Sequence, residues 1–194
     1  MSELTHEVSQ EASTKSLGFW IYLMTDCVLF ATLFATYAVL HGSTFGGPTS
    51  NQLFDLPFVM TETLLLLTSS FTIGMATLAA TTGHKSRTIA WLIITFILGL
   101  SFVAMELTEF SHLAMDGNSW ARSGFLSAFF TLVGTHGAHI SIGLLWMLVM
   151  GLRIAKGGLK SLDVRRLALL GLFWHFLDII WICIFTIVYL MGVQ

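Results

Sequence analysis

Long apolar runs separated by short polar stretches organise this chain from end to end. Runs of membrane length can be read at Leu17 to Leu40, Phe58 to Ala80, Ile89 to Phe110, Phe125 to Leu152 and Leu167 to Met191. Each is long enough, at ~1.5 Å of rise per residue, for a helix to cross a ~30 Å hydrocarbon core. The pattern predicts an all-α polytopic membrane protein, a bundle of five transmembrane helices, with residues 1–194 forming a single membrane domain. The ends of the runs carry ordinary signals: Pro57 suits a first helical turn, while Gly83 and the pair Gly157 and Gly158 follow helix ends. The longest connection, His41 to Pro57, is rich in Gly, Ser and Thr and too short to fold alone.

Composition agrees, with 55% hydrophobic and 10% charged residues. The first sixteen residues are polar and carry Glu3, Glu7 and Glu11 rather than a basic cluster, and no small-residue cleavage site follows the first run, so that run is expected to be retained. Cys27 and Cys183 both fall inside spans and suggest buried apolar residues rather than a disulfide or a Cys-x-x-Cys metal site. No basic run is interleaved with aromatics in a way that suits nucleic acid. Of the nine basic residues, five alternating helices put Lys15, Lys85, Arg87, Arg153, Lys156, Lys160, Arg165 and Arg166 on one side and only Arg122 on the other. The positive-inside rule therefore places the N-terminus in the cytoplasm and the C-terminus on the far side.

The informative residues are the ionisable ones inside the spans. A charge near the bilayer centre costs roughly 2.5 to 3.5 kcal/mol on insertion scales, so such groups are kept where they pair, face a partner or touch water. Asp26 on the first helix, His136 and His139 on the fourth, and His175 and Asp178 on the fifth fall at overlapping depths, which predicts a polar seam tying helices together. The two i, i+3 pairs each put two side chains on one helical face. Three imidazoles and a carboxylate also have the chemistry of a zinc or non-haem iron site, which would make the chain a membrane metalloenzyme. Glu62, Glu106 and Glu109 fall towards the outer face, where water is closer and inter-helix hydrogen bonds or rim positions are expected. Small residues at four-residue spacing, Ser70 with Gly74 and Gly137 with Ser141, let helix backbones approach. No internal repeat or matched pair of broken helices supports a transporter, although an independent small transporter or proton channel would use the same residues as a relay.

Four stretches carry a resemblance: GFWIYLMTDCVLFATLFATYAVL, PFVMTETLLLLTSSFTIGMATLA, FFTLVGTHGAHISIGLLWM and FWHFLDIIWICIFTIVYLMG. In this order they resemble subunit III of the haem-copper terminal oxidases, and the five-helix form with an acidic N-terminal tail looks most like the bacterial bo-type ubiquinol oxidase branch. The resemblance implies a non-redox accessory subunit of a proton-pumping complex in the bacterial inner membrane, with its C-terminus periplasmic and no active site of its own. It implies direct packing against oxidase subunit I, which would hold the haems and copper, together with other oxidase subunits and bound phospholipid. No catalytic, cofactor or metal residue is then expected in this chain. Asp26 falls where many relatives place a carbodiimide-reactive glutamate. Glu109, His136, His139, His175, Asp178 and Trp181 fall on the family's characteristic polar and aromatic positions, and Glu62 and Glu106 look like features of the quinol-oxidase branch. Assembly and stability of the oxidase is the job expected first, ahead of support for proton uptake or a lipid-filled approach for oxygen.

Overall fold

The computed structural model of the protein describes residues 2–44 and 56–192, with the side chains of Thr14 and of residues from 16 onward. The acidic side chains near the N-terminus, Lys15 and the interior of the 41–57 connection lie outside the described residues. Among those described, the structure is helical with no strand: α1 (Ser2–Leu40), α2 (Leu56–Thr81), α3 (Lys85–Met115), α4 (Gly124–Gly157) and α5 (Ser161–Ile184), the last continuing into a π-helical turn, Phe185–Leu190. Five helices are long and apolar enough to cross a membrane, as the runs predict. The helices extend beyond the apolar runs; α1 in particular continues backwards through the polar stretch to Ser2.

The ends form where the backbone chemistry demands. After α2, Gly83 takes φ +78°, its N–H reaching Ala80 O and that of His84 reaching Ala79 O. These paired bonds cap carbonyls that would otherwise be orphaned, and they need a residue that tolerates the left-handed region. At the start of α4, the Ser123 hydroxyl accepts from Leu126 N at 3.2 Å.

Helix α2 packs on α3 and α5, α4 packs on the same two, and α1 lies against α4 with a lighter contact to α5. The four helices α2 to α5 thus enclose the core, and α1 sits at its edge with Leu17, Ile21, Met24 and Val28 exposed. Two indoles fix the antiparallel α2–α5 register: Trp174 Nε1 donates to Ser69 Oγ at 2.9 Å and Trp181 Nε1 to Thr63 Oγ1 at 3.1 Å. Thr72 and Thr95 share a 2.8 Å hydroxyl bond between α2 and α3. The Trp174 ring fills a slot between α3 and α4 that glycines create, since a methyl group on Gly99 would come within 2.8 Å of it and one on Gly143 within 3.1 Å. With no hydrophobic drive between helices in lipid, close backbone approach at small residues and hydrogen bonds across the interface are the forces available.

Candidate functional site

The ionisable residues within the spans do not form one continuous seam. They divide into three clusters, because neighbouring helical positions face different partners.

Asp26 and His139 join α1 to α4. His139 Nε2 stands 3.7 Å from Asp26 Oδ2, and its Nδ1 lies 2.7 Å from Thr135 O. A carbonyl can only accept, so Nδ1 carries a proton and donates. A bond between Nε2 and the carboxylate then requires one further proton, on either the imidazole or Asp26. Tyr22 lies one turn earlier on α1, its hydroxyl turned towards the same carboxyl group. Phe30 covers the other side of His139, with ring centroids 5.3 Å apart.

Ser70, His175 and Asp178 join α2 to α5. Ser70 Oγ is bonded to His175 Nδ1 at 2.6 Å. Asp178 is turned towards the same hydroxyl, yet among the described residues neither of its buried oxygens has a partner in hydrogen-bond geometry. The sequence suggests that both His175 and Asp178 are buried among aromatics. Asp178 is buried, but His175 is exposed on the outside of the bundle: the two share one face of α5, and α2 covers only one edge of it.

Glu62 on α2 and Glu106 and Glu109 on α3 form the third cluster, close enough for their charges to interact. Tyr189, in the π-helical turn, donates to Glu109 Oε2 at 3.0 Å. The sequence suggests an inter-helix hydrogen bond or a rim position for these glutamates, and Glu109 has such a bond. Glu62 and Glu106 are buried, with both Glu62 oxygens and Glu106 Oε2 lacking a hydrogen-bond partner among the described residues. The Glu106 carboxyl group packs over Gly137 of α4. Beside it, His136 is fully buried and stacked on Trp181 at 5.3 Å and 27°, with Phe102 edge-on at 6.0 Å. Neither of its ring nitrogens has a hydrogen-bond partner among the described residues.

The four side chains with ligand chemistry therefore point to three different places. His136 faces aromatic rings, His139 faces Asp26, and His175 faces Ser70, so this donor set does not fit a zinc or non-haem iron site. Among the described residues, no three His, Cys, Asp or Glu side chains converge to hold a metal. What the clusters can do is bond helices together and hold protons at buried oxygens and nitrogens.

Several residues that matter here carry no strong signal in sequence. Thr63, Ser69 and Ser70 read as ordinary hydroxyls in an apolar run, and Tyr189 reads as a packing aromatic. Asp163 is a further case: it is buried at the start of α5 and accepts from Arg153 Nε at 2.7 Å. Its i, i+3 spacing to Arg166 was the available clue, but the nearer partner comes from α4.

Residues 4–193 match the family model described as cytochrome c oxidase subunit III. The chain is 58% identical over 175 residues, 90% of its length and 84% of the relative's, to a protein of Pseudomonas aeruginosa named cytochrome bo(3) ubiquinol oxidase subunit 3. It is 56% identical over 177 residues, 91% of its length and 86% of the relative's, to the Pseudomonas putida protein of the same name. A Bacillus protein (strain PS3) named cytochrome c oxidase subunit 3 is 44% identical over 182 residues, 94% of this chain and 88% of the relative. The helices, the register and these likenesses agree: the chain belongs to the cytochrome c oxidase subunit III family.

Proposed function

We propose that this chain is the non-redox accessory subunit III of a proton-pumping bo-type ubiquinol oxidase in the aerobic respiratory chain. The observation that carries this reading is the 58% and 56% identity, across nine-tenths of the chain, to two proteins named for that oxidase. In this reading the chain is one membrane domain of the bacterial inner membrane, its N-terminus cytoplasmic and its C-terminus periplasmic. It packs against subunit I, which holds the haems and copper, and the complex rather than this chain reduces oxygen.

The geometry supports a scaffolding job. The Trp174–Ser69, Trp181–Thr63 and Thr72–Thr95 bonds and the Asp26–His139 and Ser70–His175 contacts each join two helices. Such groups hold the bundle rigid beside a partner, and a rigid apolar surface also suits retention of phospholipid. Proton traffic within subunit I is then supported indirectly, by stability of the assembly.

The test is purification of a tagged full-length chain from its native membrane in mild detergent, followed by mass spectrometry of its partners and a reduced-minus-oxidised haem spectrum. Haem-bearing partners and quinol oxidase activity are expected. A stable chain that emerges without either would overturn the reading, and proton flux in liposomes would then be the next assay.

A further inference from the structure

The bundle leaves a polar side chain of α5, His175, bare on its outer side. His175 is exposed, with Nδ1 engaged by Ser70 at 2.6 Å. If Ser70 gives its proton to Nδ1, Nε2 is left as a donor; if Nδ1 gives its proton to Ser70, Nε2 is left as an acceptor. Either way a free polar atom faces outward. Arg166, the last basic residue before this point on α5, is nine positions earlier, which puts His175 ~14 Å along the helix from it, near the middle of a ~30 Å core. Lipid offers only hydrocarbon at that depth, and an unsatisfied polar group there is costly.

The surroundings of His175 are shaped for a rod. Gly74, one turn from Ser70 on α2, is exposed, and a Cβ built on it would meet nothing within 4 Å. Ser70 and Gly74 therefore form a small-residue notch of the kind that lets a second helix approach closely. A shallow, open depression lies along this notch, lined by Leu67, Phe71, Met75 and Leu78 of α2 with His175 beside them, and Phe71 is 65% exposed. From Leu67 to Leu78 it extends ~16 Å along α2. A second polar group lies behind the floor: Asp178, 5% exposed and without a hydrogen-bond partner among the described residues, turned towards Ser70.

We propose that the α2–α5 face centred on Ser70, Gly74 and His175 is the docking site for a transmembrane helix of the haem-bearing partner, which presents a hydroxyl or amide side chain to His175 Nε2. The inference rests on the accessory-subunit reading and adds to it which face makes the contact and with what chemistry. A helix fits each observation: it covers three turns of this shallow depression, approaches closely at Gly74, and brings hydrogen-bonding side chains to mid-membrane depth. A hydroxyl or amide can donate or accept, and so serves both directions of the Ser70–His175 bond.

The test uses the whole complex. A photo-cross-linking residue at Phe71, in an otherwise native chain, is expected to form an adduct with the haem-bearing partner. Gly74→Leu is expected to lower haem co-purified per tagged chain by about tenfold or more. Gly151→Leu, the same change at an open position on α4, is expected to leave it unchanged. His175→Leu should weaken the association and His175→Gln should restore it, since the amide keeps a hydrogen-bonding group. Adducts at Phe71 with lipid or quinone alone would overturn the proposal, as would loss of haem with Gly151→Leu but not with Gly74→Leu. An unaltered chain that brings no haem-bearing partner would refute the accessory-subunit reading itself, and this docking site with it.

Discussion

The carboxyl group of Glu106 on α3 occupies the space where any residue other than glycine at position 137 of α4 would place its Cβ. Helix propensity alone favours alanine over glycine by about 1 kcal/mol. Here the added methyl collides with a carboxyl group that is 3% exposed and has no solvent to retreat into. Gly137→Ala is therefore expected to destabilise the protein by about 1 to 3 kcal/mol, the usual range for overpacking. The check is a double-mutant cycle on thermal unfolding in detergent. Glu106→Ala should relieve much of the loss, and purely additive effects would show that the two positions do not touch.

The two indoles that set the α2–α5 register invite a different comparison. Each combines a hydrogen bond with a large packed ring, and Trp174 and Trp181 are almost wholly buried. Inter-helix hydrogen bonds in membranes average about 0.6 kcal/mol, whereas truncating a buried tryptophan to alanine costs about 3 to 5 kcal/mol. Thr63→Val and Ser69→Ala should thus lower the unfolding midpoint only slightly, and Trp174→Ala and Trp181→Ala severely. Similar losses in the two classes would mean that the bonds, rather than the packing, hold this interface.

The contrast between what sequence reveals and what it hides follows from these same residues. Five spans were legible because membrane thickness dictates their length, and the family was legible because motifs such as FWHFLDIIW recur in order. Side-chain direction was not. An i, i+3 pair shares a face of its own helix, but His175 is exposed on the outside of the bundle and Asp178 is buried, because α2 covers one edge of that face and leaves the other open. Depth alone also misled for Glu62 and Glu106. Their level along the helix suggested a rim or an inter-helix bond near water, and only the packing of α2, α3 and α4 around them shows that they are enclosed. Likewise the bend into a π-helical turn that brings Tyr189 to Glu109 has no counterpart in the hydrophobic pattern, which runs on unbroken to Met191.

That turn brings the Tyr189 hydroxyl to Glu109 in the Glu62, Glu106 and Glu109 cluster. Tyr189→Phe removes the donor and leaves a partly buried oxygen of Glu109 short of a partner, with an expected loss of about 1 to 3 kcal/mol. Glu62→Gln replaces a buried carboxyl group, whose oxygens have no hydrogen-bond partner among the described residues, by an amide of nearly the same shape. It is expected to be neutral or stabilising. Thermal unfolding of the two variants should therefore move in opposite directions or differ by at least about 1 kcal/mol. A larger loss for Glu62→Gln would point to a partner for Glu62 supplied from outside this chain.

The last relationship lies at the basic end of the bundle, where Asp163 on α5 is held by two arginines of unequal reach. Arg153 Nε stands 2.7 Å from Asp163 Oδ1, and Arg166 Nη1 stands 4.0 Å from the same oxygen. Asp163 itself is buried in the first turn of α5, where the helix dipole also favours a negative charge. Both arginines are about half exposed, so water screens their ends of the pairs. Arg166→Ala should consequently cost only about 0.2 to 1 kcal/mol, the range of an exposed pair. Arg153→Ala breaks a short charge-assisted bond and leaves a buried carboxylate to the more distant arginine, for an expected loss of about 1.5 to 3 kcal/mol. It should also loosen the turn through Gly157 and Gly158, because this pair is the bond that spans it. Unfolding midpoints measured from low to high salt separate the two contributions: added salt should erase the Arg166 effect and leave most of the Arg153 effect. Equal effects at all salt concentrations would mean that the two arginines share Asp163 evenly in the membrane, against the difference of more than 1 Å between their contacts.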